Sequence, residues 1–143
     1  MCRHILPLLA ITCLGLVACQ RPGPRVCPEG MSLDGKQSKP GHSLWCRSQD
    51  GKRAQYTEFQ PGGKEKRQLC NFRDGRPEGE FAAWLPGGRR WIAGQFAAGQ
   101  PDGRWSQWDK AGSRVAEGEY RDGRFVAGAP VASAAACGKL HVP

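Results

Sequence analysis

Phe72-Arg73-Asp74-Gly75-Arg76-Pro77-Glu78-Gly79-Glu80-Phe81-Ala82-Ala83-Trp84 is answered 24 residues later by Phe96-Ala97-Ala98-Gly99-Gln100-Pro101-Asp102-Gly103-Arg104-Trp105-Ser106-Gln107-Trp108. Aromatic meets aromatic at Phe72, Phe96 and Tyr120, at Phe81 and Trp105, and at Trp84 and Trp108. Glycine meets glycine at Gly75, Gly99 and Gly123, at Gly79 and Gly103, at Gly88 and Gly112, and at Gly94 and Gly118. Large apolar residues and glycines held to one short period mark a tandem array of supersecondary units. Upstream, Gly51 and Cys46 keep the 24-residue spacing from Gly75 and Cys70, whereas Tyr56, Phe59 and Gly63 fall one residue out of step with Phe81, Trp84 and Gly88. This places a diverged copy at 48–71, good copies at 72–95 and 96–119, and a partial copy from 120. Atypical end units are usual, because their outer faces lack a neighbour.

Each unit reads as two short strands joined by turns. In the best copy, residues 79–84 form one strand, Pro86-Gly87-Gly88 a turn, residues 89–96 the second strand, and residues 98–103 the next turn. Asp50-Gly51, Asp74-Gly75 and Asp122-Gly123 are strong turn dipeptides, since glycine supplies positive φ without a Cβ clash. No helical apolar period appears after the first 18 residues, so the expected fold class is all-β, a tandem array of antiparallel β-hairpins. A lone hairpin is marginal in water, and stacking merges the repeated aromatics into one stripe. Phe81 and Trp84 differ in strand parity, which predicts one aromatic row in the core and the other at the surface.

The chain opens with Arg3 and an uncharged, largely apolar run over 5–18, too short for the roughly 20 residues of a membrane span. It ends in Leu16-Val17-Ala18-Cys19, followed by Gln20-Arg21-Pro22-Gly23-Pro24, a composition suited to an extended tether. Leu-Val-Ala-Cys resembles the lipobox of bacterial lipoproteins. The resemblance implies cleavage of a 1–18 leader, lipidation of Cys19, and a membrane anchor, in the outer membrane if the host is Gram-negative because Gln20 is not aspartate. Of the seven cysteines, Cys2 and Cys13 go with the leader and Cys19 to lipid, leaving Cys27, Cys46, Cys70 and Cys137. An even count in an oxidising compartment predicts two disulfides, with three pairings open. Cys46 and Cys70 fall on matching strands of successive hairpins, two strands and about 9.5 Å apart, beyond the roughly 7 Å reach of a disulfide. Of the two pairings left, the favoured one joins Cys27 with Cys46, pinning the irregular segment onto the first hairpin, and Cys70 with Cys137, tying the tail back.

The repeat itself resembles the bacterial variant of the MORN repeat, a pattern carried by proteins described as antitoxin-like. The resemblance runs from residue 72 to about 125, with a weaker extension back to Cys46. It implies a MORN-like hairpin array used as a scaffold, lipid-associated module or dimerisation platform. The resulting division is a lipoprotein signal peptide at 1–18, a lipidated cysteine and tether at 19–26, an irregular cap at 27–47, repeats at 48–126 and a small-residue-rich tail at 127–143.

The net charge is +8 at pH 7. In an exported chain this points away from nucleic acid and towards anionic lipid or cell-wall polymers, or simply to solvated strand faces. No nucleophile elbow, zinc-protease motif or phosphate loop occurs. His42 sits in a Pro/Gly/Ser loop and His141 at the terminus, and no Cys-x-x-Cys is present, so neither metal nor cofactor is expected. The expected function is a non-catalytic, membrane-anchored binding or scaffold lipoprotein. Its partner is a protein or an anionic envelope polymer, met by a surface of Trp84, Trp91, Trp108, Arg89, Arg90 and Arg104. A second reading of the same residues is an immunity or antitoxin-type protein that neutralises an envelope-acting toxin.

Overall fold

A computed structural model describes residues 26–131 and Cys137. The leader 1–18, Cys19 and residues 20–25 of the tether lie outside the described residues, as does the tail beyond residue 131 apart from Cys137. Among the described residues nine strands form one antiparallel sheet in sequence order. They are β1 (Met31–Leu33), β2 (Ser43–Ser48), β3 (Arg53–Phe59), β4 (Lys66–Arg73), β5 (Arg76–Trp84), β6 (Arg90–Ala97), β7 (Gln100–Trp108), β8 (Arg114–Arg121) and β9 (Arg124–Gly128). The fold is all-β, a meander of consecutive hairpins. The sheet reaches further back than the repeat, since β1 and most of β2 lie within the 27–47 segment that the sequence leaves irregular.

Two kinds of turn alternate. At Asp74-Gly75, Ala98-Gly99 and Asp122-Gly123 both residues have positive φ, the geometry of a type I′ hairpin, whose twist matches that of the flanking strands. At the other end, Leu85 N–H donates to the Arg89 carbonyl at 2.8 Å, and one period later Asp109 N–H donates to the Ser113 carbonyl at 2.9 Å. The Ala98-Gly99 and Asp122-Gly123 turns are each also tied to the strand before their hairpin, with Gly99 N–H donating to the Pro77 carbonyl on β5 and Gly123 N–H to the Pro101 carbonyl on β7, each at 2.9 Å. The structure corrects the reading of 98–103 as one long turn. The turn is Ala98-Gly99 alone, and Gly103, with φ of 71°, lies inside β7 opposite a register shift in β6. The glycine makes a bulge, which bends the strand and adds local twist.

The core lies on one face. Cys70, Phe81, Gly94, Trp105 and Gly118 form a row across β4–β8, in which Cys70 pairs with Phe81, Phe81 with Gly94 and Trp105 with Gly118. Small and aromatic residues alternate because each ring lies over the neighbour that has little or no side chain. A Cβ built at Gly94 would sit inside the Trp105 ring. Gly94→Ala is therefore expected to destabilise by roughly 1–3 kcal/mol through overpacking, measurable as a lower urea midpoint. Around the row pack Ala83, Ile92, Phe96 and Tyr120, and after β9 the chain returns to this face at Val131 and Cys137. The disulfides are Cys27–Cys46 and Cys70–Cys137, with Cα atoms 5.6 Å and 5.9 Å apart.

One detail of the cysteine reading needs correction. Tyr56 opposes both Trp45 and Cys70, while Cys46 opposes Gln55. Trp45, not Cys46, thus shares the face of Cys70, and Cys46 points to the opposite side. The cause is the one-residue slip in the first copy, because a shift of one residue exchanges the faces of a strand.

Candidate functional site

An open surface depression follows directly from that slip. Where later units place Cys70, Gly94 and Gly118, the first hairpin carries Trp45, whose ring cannot be laid over by a neighbour and stands at the surface instead. Tyr56 sits directly opposite on β3, with ring centroids 4.8 Å apart. Phe72 on β4 comes within 5.5 Å of Trp45. It does so across Ala54, whose small buried side chain leaves the space. These three rings floor an open groove of about 790 Å³, within the range of small-ligand sites, roughly 300–1,000 Å³. Cys137, tied to Cys70, closes one side.

The polar rim comes from the β1–β2 loop and the ends of β2 and β3, where Gln37, Lys39, His42, Ser43 and Glu58 line the groove. The loop is held firmly. Asp34 accepts from the backbone N–H groups of Lys36 and Gln37 and from Arg47 Nε at 2.8 Å. Desolvation pushes its pKa up, but those hydrogen bonds together outweigh it and leave the carboxyl below its ordinary value. Lys39 and Ser43 exchange backbone hydrogen bonds at 2.9 Å and 2.8 Å, and the Ser38 hydroxyl accepts from Trp45 N–H at 2.9 Å. Glu58 is paired with Arg67 at 3.3 Å.

Tyr56 is the perturbed group of the groove. Burial raises its pKa, the Glu58 carboxylate raises it further, and a hydrogen bond with Ser43 and the Arg67 charge act in the opposite direction. The raised value favours the neutral phenol in the folded state. Its contribution to stability is therefore complete below the unfolded value near pH 10 and is lost as pH rises through the folded value. Phenolate absorbance assigned with Tyr56→Phe is expected to appear at higher pH in the native chain than in urea. Coincident native and unfolded titrations would show that the phenol is not shielded.

The residues singled out from the sequence do not share one surface. Trp84 is half-buried at the end of β5, with Arg90 5.9 Å and Lys66 6.0 Å from its ring centre. Trp108 is half-buried at the equivalent point of β7, opposite Arg114. Arg89 is exposed and donates to the Lys110 carbonyl, linking successive loops. Trp91 packs against the core instead. Arg104 is exposed on the opposite face, paired in register with Glu119. Among the described residues no three His, Cys, Asp or Glu side chains are grouped so as to hold a metal ion.

Trp45, Tyr56 and Phe72 went unrecognised as a site because Trp45 belongs to no 24-residue match. The signal that finds it is the slip itself, since Trp45 lies 25 residues before Cys70 just as Tyr56 lies 25 before Phe81. Comparison of the chain with protein-family models, curated proteins and solved structures gives no match.

Proposed function

We propose that this chain is a non-catalytic binding protein of the bacterial cell envelope, exported behind the 1–18 leader, anchored through lipid on Cys19, and recognising its partner through the groove of Trp45, Tyr56 and Phe72. The observation that carries the reading is the groove itself, an open aromatic floor with a mixed polar rim, set in a sheet whose turns and strands are cross-tied. Such a surface supports recognition of a preformed ligand at little ordering cost. Two disulfides support an extracytoplasmic setting, where such bonds persist. The lipobox resemblance supports the anchor, and the resemblance to MORN variants supports a surface-presenting use of the array.

Sedimentation with isolated envelopes tests this, using a soluble secreted form in which the leader and Cys19 are replaced by an ordinary cleavable leader. The wild-type groove is expected to carry the chain into the pellet, and Trp45→Ala to leave it in the supernatant. Equal sedimentation of the two, or none of either, would contradict recognition through the groove.

A further inference from the structure

The chemistry of the groove narrows the class of ligand. The Trp45 ring packs against Tyr56 and Phe72, tilted by 43° and 38°, with the Arg47 guanidinium 5.5 Å from its centre, and the three rings together floor the groove. A cage that holds an alkylammonium ion needs separated ring faces pointing at one centre, which this floor does not offer. The floor lies over the interior of β2, β3 and β4, where antiparallel pairing on both sides of β3 takes up the backbone groups. No free strand edge is present there for an extended peptide to join. An acyl chain would remain largely in water above an open, polar-rimmed trough, forfeiting most of the gain from burial.

A sugar ring fits each of these features. One of its faces is a patch of C–H bonds, which are drawn to the negative face of an aromatic ring. Its hydroxyls need both donors and acceptors: the His42 imidazole offers one of each, and the Gln37 NH2 group donates, the Gln37 oxygen being held by Arg47 Nη2 at 2.5 Å and the Ser43 hydroxyl by Tyr56. The charges on the rim are unequal in their commitments. Glu58 is engaged by Arg67, whereas among the described residues Lys39 has no ion-pair partner. We infer that the Trp45, Tyr56 and Phe72 groove takes a carboxylate-bearing glycan, its ring stacked on the aromatic floor and its carboxylate at Lys39; this rests on the envelope-binding reading above.

Calorimetric titration of the exported, disulfide-bonded chain with two probes tests the assignment. One probe is a neutral oligomer of N-acetylglucosamine. The other is a cell-wall glycan fragment of the same length with a lactyl carboxylate on alternate sugars. The acidic fragment is expected to bind about tenfold more tightly, an ordinary increment for one charge-assisted contact. Lys39→Gln lowers the acidic fragment's affinity to that of the neutral oligomer, and as a rim substitution it does not depend on the folding of a core variant. Trp45→Ala weakens both probes by roughly tenfold. Equal binding of the two probes, or a preference that survives Lys39→Gln, overturns the carboxylate assignment. Trp45-dependent sedimentation with envelopes, combined with binding of neither probe, overturns the glycan class while leaving the envelope-binding reading in place. Loss of both results overturns both.

Discussion

Trp105→Ala is expected to lower the unfolding free energy by roughly 3–5 kcal/mol, the range for deleting a large buried aromatic. Trp105 is fully buried, at 0% exposure. It stacks on Phe81 at 5.4 Å and meets Phe96 and Tyr120 edge-on at 5.1 Å and 6.3 Å. Its indole N–H donates to the Gln95 carbonyl at 3.2 Å. The loss falls at the upper end of ordinary substitutions because the cavity cannot collapse. Its lining rings come from β5, β6 and β8, each fixed by its own ladder, and the floor beneath the indole is Gly94, which has no side chain to move in. Urea unfolding followed by far-ultraviolet circular dichroism measures the effect as a shift of midpoint at unchanged slope. Trp105→Phe, which keeps a ring over Gly94, is expected to lose less. A loss below about 1 kcal/mol, the typical cost of an unremarkable substitution, would mean that this ring is not the centre of the core.

Removing the Cys70–Cys137 disulfide is expected to cost about 4 kcal/mol from the entropy of the unfolded chain. The bond spans 67 residues and encloses β5 through β9, so reduction frees most of the array at once. The Cys27–Cys46 bond spans 19 residues, and by the same reasoning its loss costs about 3 kcal/mol. The suitable variant is Cys70→Ala with Cys137→Ala, because a lone thiol at fully buried Cys70 would add a separate effect. The melting temperature should fall by roughly 20 °C. The corresponding loss for Cys27→Ala with Cys46→Ala should be smaller. Equal losses, or none, would show that neither crosslink limits the unfolded ensemble.

The period of the sequence already contained the hairpin meander, because glycines recur wherever a tight turn or a close approach is needed. That one aromatic row is core was legible in the parity of Phe81 and Trp84; which row was not, and the structure gives it as Phe81 and Trp105, whose neighbours in register are Gly94 and Gly118. Strand spacing excluded only Cys46 with Cys70; the choice of Cys27–Cys46 and Cys70–Cys137 over the remaining pairing rested on which segments needed tying down, and those are the bonds present. The face of Cys46 was not legible, because matching the first copy at 24 residues obscures a slip that exchanges inside and outside. That slip also hid the groove, since Trp45 departs from the rule that the position holds a small residue. The bulge at Gly103 was likewise out of reach, since Gly in a turn and Gly in a bulge both meet the requirement for positive φ. Trp91 was misplaced among surface residues because it follows Arg89 and Arg90 in an otherwise solvated stretch, while its ring turns onto the core.

The intact mass and detergent partitioning of the chain made in a bacterium, compared between wild type and Cys19→Ala, bear most directly on whether this is an anchored envelope protein. The expected wild-type product begins at Cys19, carries the added mass of its acyl chains, partitions into detergent and has Cys27, Cys46, Cys70 and Cys137 oxidised, with the lipid mass lost in Cys19→Ala. An unprocessed, detergent-independent chain with four free thiols at those positions would contradict both export and anchoring.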